Sequence, residues 1–145
     1  MMNIFEETYK GIQEAKKAYA AATNEAQQDA ARAIYKQSTA KLDGLSNTEQ
    51  RIWNAYETAK DCGNEYIDLN DTIRDDAVED LVACMKEYGI EAFTFSSTWS
   101  GAVETAWLFQ KAGCTLAGLI EINSQYQAFM SDEYEKAHGY LFKLN

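Results

Sequence analysis

The chain contains no proline and a single histidine, and its three cysteines stand far apart. Without proline, the Ala-, Glu-, Lys- and Gln-rich first sixty residues carry nothing that would interrupt a helix. Cys62, Cys84 and Cys114 form no Cys-x-x-Cys pair, and one histidine adds little to a metal set, which argues against structural zinc. Three free thiols fit a reducing cytosol, where cysteine behaves mostly as a small buried hydrophobe. Long apolar runs are also missing. The longest uncharged stretches, Ala92 to Val103 and Ile122 to Ser131, fall short of a membrane span and are interrupted by Ser, Thr, Gln and Gly. The start, Met1-Met2-Asn3-Ile4-Phe5-Glu6-Glu7, lacks the basic and apolar regions of a secretory signal, so the expectation is a soluble cytoplasmic protein. Neither Gly-x-Gly-x-x-Gly nor Gly-x-x-x-x-Gly-Lys occurs, which removes the common nucleotide-binding loops.

Positive charge is scarce in the second half. Residues 1–63 hold eight Lys/Arg against nine Asp/Glu, net −1, and residues 64–145 hold five against fourteen, net −9, together the −10 of the whole chain. A field of one sign repels nucleic acid and anionic membrane and attracts basic surfaces. At 145 residues, with 46% hydrophobic and 12% aromatic residues, the chain builds one ordinary core without staples.

The first sixty residues read as three helices. Ile4, Phe5, Tyr9, Ile12, Ala15 and Tyr19 form one stripe. A second helix begins after Asn24, a cap with Gln27 at the third helical position, and carries Ala30, Ala31, Ile34, Tyr35 and Leu42 before Gly44. Ser46 with Glu49 has capping-box spacing for a third, containing Ile52, Trp53, Tyr56 and Ala59 and ending near Cys62-Gly63.

After Gly63 short apolar runs alternate with helices. Glu65 to Leu69 is a strand, followed by a helix over about Arg74 to Tyr88. Glu91 to Ser96 is the second strand, with Phe93 and Phe95 on one face, and leads to a helix over about Ser100 to Ala112 that carries Trp107 as a core residue. A third strand lies within Leu116 to Asn123. Tyr140 to Leu144 is a fourth, antiparallel strand, reached by a loop or short helix around Ser131 to Lys136. The fold class is thus α+β or α/β: an N-terminal helical hairpin plus one helix (1–63), then a small two- or three-layer segment (64–145). That segment has a mainly parallel β-α-β-α-β sheet with a C-terminal antiparallel strand, and the whole is expected to form one folded unit.

On the helix after the first strand, Asp76, Asp80 and Glu87 form a ridge with Asp75 and Glu79 beside it, and only Arg74 and Lys86 compensate. Carboxylates three or four residues apart repel by a few tenths of a kcal/mol per pair, so some stability is given up. A solvated acidic face, aided by the helix dipole, explains the pattern without function. A docking surface for a basic partner explains it with one, and charge reversal of Asp76, Asp80 and Glu87 tests that reading. Trp99, at a helix entrance, is the candidate exposed contact residue, although a hydrophobic staple accounts for it equally well.

Parallel strands would gather Asp68, Asn70, Asp71, Ser96, Ser97, Thr98 and Asn123 at their carboxyl ends, where open sheets bind ligands. The resulting crevice candidate is Asp68, Asp71, Ser97 and Asn123. Capping of the next helix by Ser97 or Ser100 is the simpler role for the Ser/Thr turn. An Asp68/Asp71 pair for Mg²⁺ is unspecific, and His138 has no spacing that would make it the base for Cys114 or a serine, so no metal, cofactor or catalytic set is expected.

Glu65 to Asp71, Glu91 to Ser97, Ala102 to Trp107 and Tyr134 to Lys143 resemble a family of small uncharacterised acidic proteins carried on plasmids and conjugative elements of gut anaerobic bacteria. The resemblance covers roughly residues 64–145. It implies a mobile-element setting, where such proteins block host nucleases, and assigns no active site. The expected function is then a non-enzymatic interaction protein, an inhibitor of a nucleic-acid-binding defence protein of the anti-CRISPR or anti-restriction kind. Its partner would be a basic protein surface, with no direct binding of nucleic acid or membrane. The alternatives are a ligand-binding or enzymatic domain using the crevice, and a structural adaptor that forms a homodimer through the N-terminal helices.

Overall fold

Helix α1, Ile4–Ala21, buries Phe5, Thr8, Ile12 and Ala15 at the helical spacing of its apolar stripe. The computed structural model describes residues 4–145, so the first three residues of the start read above for a secretory signal lie outside the described residues. The chain divides into two compact units, Met1–Gln50 and Arg51–Asn145. In the first, α1 pairs with α2, Glu25–Thr39, which continues into a 3-10 turn over Ala40–Leu42. Asn24 caps α2 as its side chain accepts from the Gln27 amide at 2.8 Å, and Gln27 Oε1 accepts from the Thr23 N–H at 2.7 Å. The two helices come close at Gly11, where an added Cβ would sit 2.1 Å from Ser38 Oγ. Any side chain there would push the hairpin apart.

Helix α3, Asn47–Cys62, opens with the reciprocal capping box foreseen from its sequence. The Glu49 N–H donates to Ser46 Oγ and the Ser46 N–H to Glu49 Oε1, both at 3.2 Å. It stops at Gly63, whose φ of +74° is costly for any residue with a Cβ. The Asn64 N–H then closes back on the Ala59 carbonyl at 2.9 Å.

The second unit combines helices with a mixed four-stranded sheet, and the described residues hold five α-helices in all. Strand β1 is Ile67–Leu69, β2 is Ala92–Phe95, β3 is Cys114–Gln127 and β4 is Tyr134–Leu144, in the order β1-β2-β4-β3. Helix α4, Val78–Glu87, and helix α5, Ala102–Lys111, make the two crossovers. The expected mainly parallel sheet needs correction here. Only β1 and β2 pair in parallel, while β4 pairs antiparallel with both β2 and β3. Three strands still run the same way, but the last strand inserts between the second and third. It begins at Tyr134, inside the stretch expected as a loop or short helix, and its 11 residues match a 14-residue β3. A long hairpin supplies its own main-chain partners, and that outweighs the weak local pattern of residues 131–136.

The strands bury Ile67, Leu69, Phe93, Phe95 and Phe142, and Phe109 of α5 closes over them. Its ring centre lies 4.9 Å from that of Phe93 and 5.5 Å from those of Phe95 and Phe142. Asp68 and Thr94 point to the opposite face, because neighbouring positions on a strand alternate. That face carries α3, whose Arg51, Ala55 and Thr58 line a cavity with Asp68.

Candidate functional site

The acidic helix is not one continuous α-helix. Asp75 and Asp76 lie in a 3-10 turn, Asp75–Ala77, ahead of α4. The tighter turn shifts their phase relative to Asp80 and Glu87, which lie on α4 itself. Asp75, Asp76 and Glu79 line one depression of about 360 Å³ together with Val78, Leu108 and Lys111. Asp80 and Glu87 are exposed elsewhere on α4, about 20° apart around the helix at 3.6 residues per turn. Among the described residues one ion pair touches these five acids, Arg74 to Asp76 at 3.5 Å, with both side chains largely exposed. Such an exposed pair contributes little to stability.

The two tryptophans depart from their expected exposures. Trp99 is half-buried, its ring folded over Gly101 so closely that an added Cβ would meet the ring at 2.1 Å, and its indole N–H is buried without a partner. Trp107 is 57% exposed. The Lys111 ammonium lies 5.2 Å from its ring centre and links it to the acidic depression. Exposure of Trp107 follows from helix phase: Phe109 and Thr105 take the inward positions of α5. Neither Ser97 nor Ser100 caps that helix, which starts after Gly101 without a side-chain cap.

A second candidate lies at the carboxyl end of β1. Asp68 and Asp71 line a cavity of about 190 Å³ with Arg51, Asn54, Asn70 and Gln125. Asp68 accepts from Thr94 Oγ1 at 2.7 Å and Ser96 Oγ at 2.6 Å. Burial raises its pKa above the ordinary carboxylate value, the two hydroxyls work against that rise, and the Asp71 charge adds to it. Arg51 is bound to Asp71 at 2.8 Å and to the Thr72 carbonyl at 2.9 Å. Sequence reasoning did not single out Arg51, which stands twenty residues from its acid.

Two of the four crevice residues are thereby brought together and two are not. Ser97 does not line this cavity. Asn123 instead lines a cavity of about 250 Å³ with Asn64, Tyr66 and Lys136. It is held by Asn64 through two hydrogen bonds of 2.8 and 2.9 Å, and it bonds the Cys62 carbonyl and the Lys136 ammonium. Its side chain is engaged in closing the hairpin over the end of α3. The three cysteines are free and buried, no group of three or more His, Cys, Asp or Glu among the described residues could hold a metal ion, and His138 is exposed on β4. No described helix is long and apolar enough to cross a membrane.

The family described as Domain of unknown function (DUF7698) matches residues 51–144, close to the second compact unit. No curated protein and no solved structure matches the chain.

Proposed function

The chain belongs to the family Domain of unknown function (DUF7698), and from that premise we propose that it is a non-enzymatic interaction protein whose acidic side docks onto a basic protein surface. One observation carries the proposal. Asp75, Asp76 and Glu79 share a depression with Lys111, and Lys111 stacks on the exposed Trp107, so acidic charge adjoins a large aromatic anchor. Anchors of this type hold most of the energy of protein contacts, while surrounding charge sets encounter rate and partner choice. The net −9 of residues 64–145 extends that attraction beyond the contact itself.

The finer part of the proposal is a cytoplasmic inhibitor carried on a plasmid or conjugative element of a gut anaerobe, occupying the nucleic-acid channel of a CRISPR or restriction effector. Affinity capture from the host cytosol tests it, with Asp75, Asp76 and Glu79 all changed to Lys as the control. The expected partner is basic, is lost as salt rises and is not retained by the variant. Equal capture by both proteins removes the proposal.

The buried Asp68 carboxylate beside Arg51 supports a second reading, a small-ligand site at the end of β1. Its test is a change in the backbone resonances of Asn70, Asp71 and Gln125 on adding small polar metabolites.

A further inference from the structure

The helical hairpin carries an open groove of about 370 Å³ whose floor is two buried alanines, Ala15 and Ala31. Tyr19 and Tyr35 form its walls and are 46% and 48% exposed. Among the described residues, the ionisable side chains besides the tyrosines that line it are Lys16 and Arg32, both cationic in a chain of net charge −10. Arg32 lies over the Tyr19 ring at 5.6 Å and pairs with Asp29 at 3.0 Å, whereas Lys16 has no ion pair among the described residues.

We propose that this groove binds a small aromatic anion, its ring seated on Ala15 and Ala31 between the two tyrosines and its carboxylate, sulfonate or phosphate held by Lys16 and Arg32. The lining dictates both halves of that ligand. An alanine floor between phenol rings offers dispersion and ring contacts to a flat apolar body and almost nothing to a polar one. Lys16 and Arg32 attract an anion and repel a metal ion or amine, with the planar fork of Arg32 exchanging its Asp29 partner for the oxyanion of the ligand.

Size separates this occupant from a second copy of the chain. The volume falls in the usual range of roughly 300–1,000 Å³ for small-molecule sites. A stable dimer buries about 800 Å² per partner. The exposed parts of the two walls, Tyr19 and Tyr35, supply on the order of 100 Å² each, well short of that.

The test is a titration of the full chain with 8-anilinonaphthalene-1-sulfonate, read by fluorescence and by calorimetry, with displacement by naphthalene-2-sulfonate and by its neutral analogue 2-naphthalenemethanol. Saturable one-to-one binding is expected, and the sulfonate should displace the dye at far lower concentration than the alcohol. The Lys16→Glu/Arg32→Glu variant should bind roughly tenfold or more weakly, and Tyr35→Ala should also lose affinity, both with unchanged circular dichroism. Either no saturable binding, equal displacement by the neutral analogue, or dye binding untouched by the variants overturns the proposal. So does sedimentation as a dimer that the Tyr35→Ala change dissociates, since the groove would then be covered by a second copy.

Discussion

Ser96 donates a hydrogen bond of 2.6 Å to the Asp68 carboxylate across the only parallel strand pair of the described sheet. Thr94 adds a second from the same strand, yet burial outweighs both and holds the pKa of Asp68 above the ordinary value. The folded protein therefore keeps the Asp68 proton to higher pH than the unfolded chain does. Its contribution to stability is full while both states are protonated, falls as pH climbs through the window between the unfolded and the raised native pKa, and stays low above it. Asp68→Asn removes the charge and keeps a group able to bond both hydroxyls. It should raise the urea midpoint at pH 7 and lose that advantage at a pH below the ordinary carboxylate range. A lower midpoint for the variant at pH 7 contradicts the assignment.

Asn64 works as a side-chain substitute for a strand. Its amide accepts from the Asn123 N–H at 2.9 Å and donates to the Asn123 carbonyl at 2.8 Å, so these main-chain groups of β3 face away from β4 and are capped. Asn64→Ala leaves both bare and should cost about 2 kcal/mol, within the usual ~1–3 kcal/mol for orphaned polar groups. Urea denaturation measures the loss, and hydrogen exchange at the Asn123 amide should quicken beyond its neighbours. An unchanged exchange rate there would show that water replaces Asn64 without cost.

Local signals carried much of this architecture and non-local ones did not. Asn24, the Ser46/Glu49 box and Gly63 mark helix ends through contacts within a few residues, and all three act as read. The insertion of β4 between β2 and β3 depends on pairing such as Phe93 with Phe142, 49 residues apart in sequence. No short window contains that information. The link between Arg51 and Asp71 and that between Asn64 and Asn123 were invisible for the same reason. At the acidic surface the residue types were legible, but the 3-10 turn at Asp75 reset the phase by which they were grouped.

Helix phase also sets apart Phe109 and Trp107 of α5. Phe109 is fully buried among three other phenylalanines, whereas Trp107, two residues earlier, is 57% exposed. Phe109→Ala should cost about 3–5 kcal/mol, and Trp107→Ala about 0.5 kcal/mol or less. Thermal or urea unfolding gives both values. In a capture experiment the order should reverse, with Trp107→Ala losing the basic partner while remaining folded. Retention of the partner by that variant would remove Trp107 from the proposed contact.

The thiols supply a check on packing that is independent of any partner. Cys62, Cys84 and Cys114 are all free and buried. Burial pushes the Cys62 and Cys114 thiols up, with the Asp61 charge adding to the first and Lys86 partly opposing the second. Both exclusion and a smaller thiolate fraction slow their chemistry. Native protein at pH 8 should react with dithionitrobenzoate only through opening of the structure, and in urea all three thiols should react at once. The Asn64→Ala variant provides the internal comparison, because Cys62 lies two residues before the Asn64 latch and its carbonyl is held by Asn123 at 2.8 Å. Cys62 should become the fastest thiol in that variant, and peptide mapping of the labelled protein identifies it. If Cys84 or Cys114 is labelled first instead, the latch does not govern opening at the end of α3.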